Sequence, residues 1–158
     1  RVARPAARGE AEEAFRGLAE TGSGGYPTLA ALRAAATLAD KGDAAAAIKA
    51  FDAVAAEQKT SPLFADVARV RAAYLALDEE ERAAVEARVA PLALAGKPFR
   101  HSAREILALS AWKANDLATT SKWIETAETD PETPRDLVDR LAVLSALVRG
   151  SATTGKAE

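Results

Sequence analysis

The sequence contains no cysteine and no methionine. Without thiols the chain can form no disulfide framework, offers no thiolate ligand for zinc and has no cysteine nucleophile. The absence of cysteine fits the cytoplasm and the periplasm equally. The absence of methionine predicts that these 158 residues are a fragment or a processed form of a longer protein.

Histidine occurs once, so any Ser/His/Asp triad would have to use His101. A general base needs a positioned partner and an oxyanion hole, and no glycine-rich or strained turn near His101 suggests either. The acidic run from Asp78 to Glu81 lacks the glycine that a calcium loop requires, so we expect it to place negative charge at a helix N-terminus. We predict no enzymatic activity, no cofactor and no bound metal, with His101 as a capping or surface residue.

Strand signals and long apolar runs are also missing. No sustained alternation of Val, Ile, Thr and Tyr marks a β-strand, and no apolar run approaches the ~20 residues that cross a bilayer. The formal net charge of -2 argues against a general nucleic-acid binder, which would carry a basic excess. Aromatics are only 5% of the residues, and alanine, the best helix former, dominates the apolar set. An all-α fold is therefore predicted.

Four prolines recur at a nearly constant interval. Pro27, Pro62, Pro98 and Pro134 are separated by 35, 36 and 36 residues in the numbering. Proline favours the first turn of a helix, where its missing N–H is no loss. Evenly spaced helix starts at this period indicate an array of helix pairs.

The turn inside the pairs also repeats. Lys41-Gly42-Asp43 matches Ala114-Asn115-Asp116. Asn115 can adopt the left-handed conformation that ends a helix, and Asp116 can cap the next one. After each turn, Ala47, Ile48 and Phe51 align with Thr120, Ser121 and Ile124.

We predict a single domain over residues 1–150, followed by a disordered tail at 151–158. An N-terminal helix at 8–20 and a glycine-rich linker occupy residues 1–25, three helix pairs occupy 26–128, and a capping helix occupies 134–149. The predicted pairs are 27–40 with 43–57, 62–77 with 80–94, and 99–114 with 116–128.

The residues after the first turn resemble the tetratricopeptide repeat. Its second helix opens on Gly-Asp and carries a small residue and an aromatic at the offsets of Gly42-Asp43, Ala47-Ile48 and Phe51. We therefore expect a tetratricopeptide-like right-handed superhelix of about three helix pairs, flanked by the N-terminal and capping helices. Neighbouring repeats stack into a continuous core and present a concave surface that binds other chains.

A second resemblance covers most of the chain. It rests on Gly24-Gly25-Tyr26 with Leu29, Leu32 and Arg33; on Gly42-Asp43; on Asp66, Ala68 and Arg71-Ala72-Ala73; on Gly96-Lys97-Pro98-Phe99-Arg100 with Ala103-Arg104-Glu105; and on Asp130-Pro131 with Thr133-Pro134. In these residues the chain resembles the alphaproteobacterial form of the bacterial ancillary SecYEG translocon subunit family. Members of that family have a short cytoplasmic end, one membrane-spanning helix and a periplasmic tetratricopeptide-like domain.

The resemblance implies a non-enzymatic protein-interaction module on the periplasmic side of the inner membrane, with its anchor helix removed. Its implied partners are the SecYEG translocon and periplasmic chaperones. Three alternatives stay open from the sequence: a soluble scaffold of another envelope or cytoplasmic assembly, a helical hydrolase or lytic factor using Glu105 or His101, and a self-associating structural protein. A concave pocket holding carboxylates of raised pKa would favour the hydrolase.

First helices of tetratricopeptide-like pairs line the concave side, so their exposed polar side chains are candidates for partner binding. These candidates are Arg33, Arg71, Tyr74, Arg104 and Lys113. The alternative for each is a solvated helix face, since surface ion pairs are common and contribute little. As aromatic residues, Trp112, Trp123, Tyr26 and Tyr74 are expected to pack in the core or between repeats rather than to stack on a ligand.

Overall fold

A computed structural model describes residues 25–154, with the side chains of 25–151. Within that range every regular element is helical, which confirms the all-α class. The seven α-helices of this range are α1 (Tyr26–Asp40), α2 (Ala44–Ala56), α3 (Pro62–Glu79), α4 (Arg82–Val89), α5 (Arg100–Lys113), α6 (Leu117–Glu128) and α7 (Arg135–Thr154). The helix predicted at 8–20 lies outside the described residues.

The chain divides into two compact units, Arg1–Glu79 and Glu80–Glu158. The described part of the first unit holds α1 to α3, and the second holds α4 to α7. The single domain over 1–150 stays a prediction.

In the first unit, α2 packs against both α1 and α3. Its core is mostly alanine, and the largest of its buried side chains is Phe51, which is 2% exposed. Small side chains at the contacts let helix axes approach closely. The buried apolar residues of this unit are Ala30, Leu32, Ala35, Ala47, Ile48, Phe51, Val54, Ala65, Ala68, Val70, Ala72, Ala73 and Ala76.

In the second unit, α5 packs against α4, α6 and α7. The predicted apolar stripe of α7 is buried at Leu137, Leu141, Leu144 and Val148. Three of these residues join Ala108, Ile124 and Ala127 in one core cluster, against which Leu109 and Trp123 pack. The core therefore lies where the apolar faces of α5, α6 and α7 meet.

The turns of the two hairpins are near copies. In α1–α2 the N–H of Asp43 donates to the Leu38 carbonyl at 3.1 Å, and in α5–α6 the N–H of Asp116 donates to the Ala111 carbonyl at 2.9 Å. Gly42 (φ 84) and Asn115 (φ 57), which directly precede these aspartates, take the left-handed conformation. This is the Schellman ending of a helix, and it confirms the role predicted for Asn115.

The same aspartates cap the next helix in each hairpin. The Asp43 carboxylate accepts from the Ala46 N–H, and the Asp116 carboxylate accepts from the Thr119 N–H, both at 3.0 Å. Each bond satisfies a free donor of the helix start, and the prediction for Asp116 is confirmed.

Most predicted boundaries agree with the structure within two residues, but two differ. Helix α4 ends at Val89 and is followed by a 3-10 turn at Ala90–Leu92, whereas a helix to residue 94 was predicted. Pro91 explains the break, because it lacks the N–H that an α-helix needs. Helix α7 continues through Gly150 to Thr154. Residues 151–154 are therefore helical rather than disordered, since an exposed helix tolerates one glycine at modest cost.

Candidate interaction surfaces

Helix α3 presents an exposed surface that combines apolar and cationic side chains. Leu63, Arg71 and Tyr74, here called the α3 stripe, lie within about 80° of one another at 100° per residue. Leu63 is 53% exposed and Tyr74 is 37% exposed. The Arg71 guanidinium carbon lies 5.9 Å from the centroid of the Phe51 ring. This distance lies within the ~6 Å range of a cation–π contact, which here links α3 to α2.

Arg33 lies on α1 with two exposed apolar neighbours. Tyr26 is 67% exposed and Leu29 is 47% exposed, and both share a helix face with exposed Arg33. The expectation that Tyr26 packs is not met. Tyr26 is the first residue of α1.

The structure places Arg104 inside the second unit. It is 5% exposed, and its Nε donates to the Ala93 carbonyl at 3.1 Å. Its Nη1 donates to Asp130 Oδ2 at 2.7 Å. The prediction that Arg104 binds a partner required an exposed guanidinium group. The structure corrects this prediction, because the guanidinium is buried and its hydrogen bonds go to acceptors inside the unit.

Lys113 is exposed near the end of α5. It lies nine residues after Arg104, which is about half a turn around the helix axis at 100° per residue. The two side chains therefore do not form one surface on α5, although the sequence grouped them.

Asp130 is the acceptor that organises the end of α6. It receives Arg100 Nε and Arg104 Nη1, each at 2.7 Å, and the Glu132 N–H at 3.1 Å. The hydrogen bond from Arg100, followed by that from Arg104, holds the pKa of Asp130 well below its usual range. The carboxylate is therefore ionised at neutral pH and shares its one negative charge between the two guanidinium groups, while Glu132 also pairs with Arg100.

His101 belongs to the same region and is half-buried, whereas a capping or surface residue was expected. The Thr133 hydroxyl donates to the Ala127 carbonyl at 2.6 Å and lies 3.0 Å from His101 Nδ1. A hydroxyl carries one proton, so Nδ1–H of His101 donates to the Thr133 oxygen. Burial, followed by the Arg100 charge, holds the pKa of His101 below its usual value.

Glu105 is 4% exposed and bound by one arginine. Its two carboxylate oxygens accept from Arg140 Nε at 2.6 Å and Arg140 Nη2 at 3.0 Å. Hydrogen bonds from Glu105 and then Asp136 raise the pKa of Arg140. Of the two residues named for a hydrolase, Glu105 makes hydrogen bonds that join α5 to α7, and His101 makes one that joins α5 to the connection between α6 and α7.

The acidic run spans the boundary between two helices. Asp78 and Glu79 end α3, while Glu80 and Glu81 precede α4. Glu80 accepts two hydrogen bonds from Arg88, at 2.6 and 3.1 Å. Of the acidic run, only Glu80 and Glu81 therefore lie at a helix N-terminus. Among the described residues no group of three or more His, Cys, Asp or Glu side chains is arranged to hold a metal ion, and no described helix combines the length and apolar character needed to cross a bilayer.

Several exposed apolar side chains were not predicted as surface features. Leu29 and Leu63 lie on the exposed sides of α1 and α3, and Val143 (64%) and Leu147 (48%) lie on α7. Each of these residues lies to one side of the buried stripe of its own helix. Its position relative to that stripe in the helical spacing was the sequence signal that could have predicted its exposure. Trp123 packs on the core as expected, whereas Trp112 is 36% exposed.

Comparisons of the chain with protein-family models, with curated proteins and with solved structures find no match.

Proposed function

We propose that this chain is a non-enzymatic protein-interaction module built as a tetratricopeptide-like right-handed superhelix. The observation that carries the proposal is the helical hairpin repeated with a left-handed residue at the same turn position, the same turn hydrogen bond and the same aspartate cap. Repeats of this kind stack their apolar faces and present extended surfaces to other chains.

The α3 stripe is the contact surface in this proposal. Tyr74 and Leu63 supply apolar area, and tyrosine and arginine are enriched at the energetic centres of protein interfaces. Arg71 supplies a cation already held against the Phe51 ring. The matching partner is an extended polypeptide segment with apolar side chains flanked by a carboxylate.

The proposed place of action follows from the resemblance to the ancillary SecYEG translocon subunit family. The chain would be the periplasmic domain of an inner-membrane-anchored protein, acting beside the secretion translocon and periplasmic chaperones. An anchor would concentrate the stripe near emerging chains, so that weak contacts suffice through a high effective concentration.

Site-specific photocrosslinking in intact cells tests this proposal, with the full-length parent carrying a probe at Arg71 or Tyr74. Lys49 is a matched control position, because it is also an exposed cation in the first unit but lies on α2. We expect crosslinks to translocon subunits, chaperones or chains in transit from Arg71 and Tyr74, and fewer from Lys49.

Crosslinks only to cytoplasmic proteins would contradict the periplasmic location and favour the alternative soluble scaffold. Equal crosslinking from all three positions would contradict the α3 stripe as the contact surface. Silence at Arg71 and Tyr74, in cells where the protein is folded and abundant, would also reject the stripe.

A further inference from the structure

Helix α7 has a second apolar face besides the stripe that it buries. Val143 is 64% exposed and Leu147 is 48% exposed, and Ala142 and Ala146 beside them are exposed as well. At 100° per residue, Ala146 lies on the side of the helix opposite the buried stripe. The side of a surface helix that faces away from the core usually carries polar and charged residues. An apolar face at this position therefore indicates an interaction surface.

Charged side chains of opposite sign lie at the two ends of this apolar face. Asp139 precedes it and Arg149 follows it, and both are exposed. Asp139 lies 3.9 Å from Arg135, and Arg149 donates to Ser145 Oγ at 2.7 Å. Both contacts are exposed and lie within α7, and surface contacts of this kind contribute little to stability. The following residues are together called the outer face of α7: Asp139, Ala142, Val143, Ala146, Leu147 and Arg149.

The order of residues along the outer face is complementary to itself. Its six residues form three pairs that share nearly the same midpoint, at position 144 or 145: Asp139 with Arg149, Ala142 with Ala146, and Val143 with Leu147. When two copies of α7 pack antiparallel about a two-fold axis at this midpoint, each residue meets the other member of its pair. The alanines let the two helix axes approach closely, and the charged pairs fix the register.

We propose that the outer face of α7 binds the same face of a second copy of this chain, as an antiparallel helix pair about a two-fold axis near position 144. The two copies then bury Val143 and Leu147 and form two ion pairs between Asp139 and Arg149. A second copy fits better than an unrelated partner, because the same face supplies the opposite charge at each end.

The contact should be weak. A helix of 20 residues is about 30 Å long, so one helix pair buries less area than a standard stable interface. The inference rests on α7 alone and does not depend on the α3 stripe, so it and the proposed function can each fail without the other.

Sedimentation equilibrium of the 158-residue chain measures this contact, at concentrations from about 10 µM to about 1 mM. We expect a monomer–dimer equilibrium that Leu147→Glu weakens at least about tenfold, because the substitution buries a charge without a partner. Leu94→Glu is the matched control and should leave the dissociation constant unchanged, since Leu94 is 62% exposed in the same unit but precedes α5.

A chain that stays monomeric over this range would overturn the proposal. An equal effect of Leu147→Glu and Leu94→Glu on the dissociation constant would also overturn it. Thermal melts that match the unmodified chain establish that both variants are folded.

Charge reversal tests the antiparallel register. Asp139→Arg leaves cations at both ends of the outer face, and Arg149→Asp leaves anions at both ends, so copies of either variant repel each other. A mixture of the two variants brings opposite charges together at each end. We expect the mixture to associate at least about tenfold more tightly than either variant alone, and the difference should shrink as salt is added.

A mixture that associates no more tightly than the separate variants would contradict the antiparallel pair. A purely structural effect of either substitution would persist in the mixture, so recovery on mixing reports contact between the two copies.

Discussion

The α1–α2 and α5–α6 hairpins have the same turn but different interiors. In the first hairpin, Ala31 and Leu32 stand where the second has Arg104 and Glu105, 73 residues later. Leu32, Arg104 and Glu105 are all buried. One hairpin thus fills these positions with uncharged side chains, and the other fills them with charges that Asp130 and Arg140 neutralise. The backbone turn and the capping residues define the hairpin, while its interior accepts either chemistry.

The largest effect is expected where the two hairpins agree, at the apolar core of the second helix. Phe51→Ala should lower the free energy of unfolding by about 3–5 kcal/mol, and the equivalent Ile124→Ala by about 2–5 kcal/mol, through lost burial and a cavity. Chemical denaturation followed by circular dichroism measures both. A decrease in the free energy of unfolding below 1 kcal/mol at either position would show that the two hairpins are not equivalent.

The next effect tests the charged interior of the second unit. Arg140→Leu leaves the buried Glu105 carboxylate without its arginine and should cost about 1–3 kcal/mol. Adding Glu105→Leu, which installs the residue found at position 32, should recover most of that loss, because buried ion pairs are often replaceable by packed apolar side chains. Denaturation of both single variants and of the double variant completes the cycle. A double variant less stable than Arg140→Leu alone would show that Glu105 stabilises the unit by other contacts.

A smaller effect is expected at the turn itself. Gly42→Ala places a Cβ in the left-handed conformation at φ 84 and should cost about 1–2 kcal/mol. Asn115→Gly at the equivalent position should change stability by only a few tenths of a kcal/mol, because asparagine already tolerates this conformation. Thermal melts of the two variants test the difference. If Asn115→Gly lowered stability as much as Gly42→Ala, the two turns would not be energetically equivalent.

The smallest expected effect is a decrease in stability when the pH is lowered from 8 to 6. The pKa of His101 is lowered in the folded state, mainly by burial. The unfolded chain therefore binds a proton more readily, and stability falls as the pH drops through the usual histidine range near 6.5. His101→Gln should remove this dependence. An unchanged pH profile in that variant would assign the dependence to other groups.

The sequence predicted the features of the fold that depend on local chemistry. The prolines near the helix starts, the Gly42 and Asn115 turns and the aspartate caps need only neighbouring residues, and each is as expected. The buried stripe of α7 followed from helical spacing alone. These signals are local because caps and turns are satisfied within a few residues.

The environment of Arg104 could not be predicted in the same way. Its acceptors, Ala93 and Asp130, are 11 and 26 residues away along the chain. Nothing in the local pattern distinguishes an exposed arginine from one whose charge is neutralised across the fold. The partner-binding candidates that remain exposed are Arg33, Arg71, Tyr74 and Lys113, of which Arg71 and Tyr74 share one face.

The separation of Arg104 and Asp130 along the chain has a consequence for the rate at which the second unit unfolds. A contact between residues far apart in the chain forms only after the intervening segments are in place, since loop closure costs entropy before such a contact can stabilise anything. We therefore expect the Arg104–Asp130 pair to be absent from the transition state for folding. Interactions absent from that state leave the folding rate unchanged and slow unfolding. The buried guanidinium would thus determine how long the unit stays folded more than how quickly it folds.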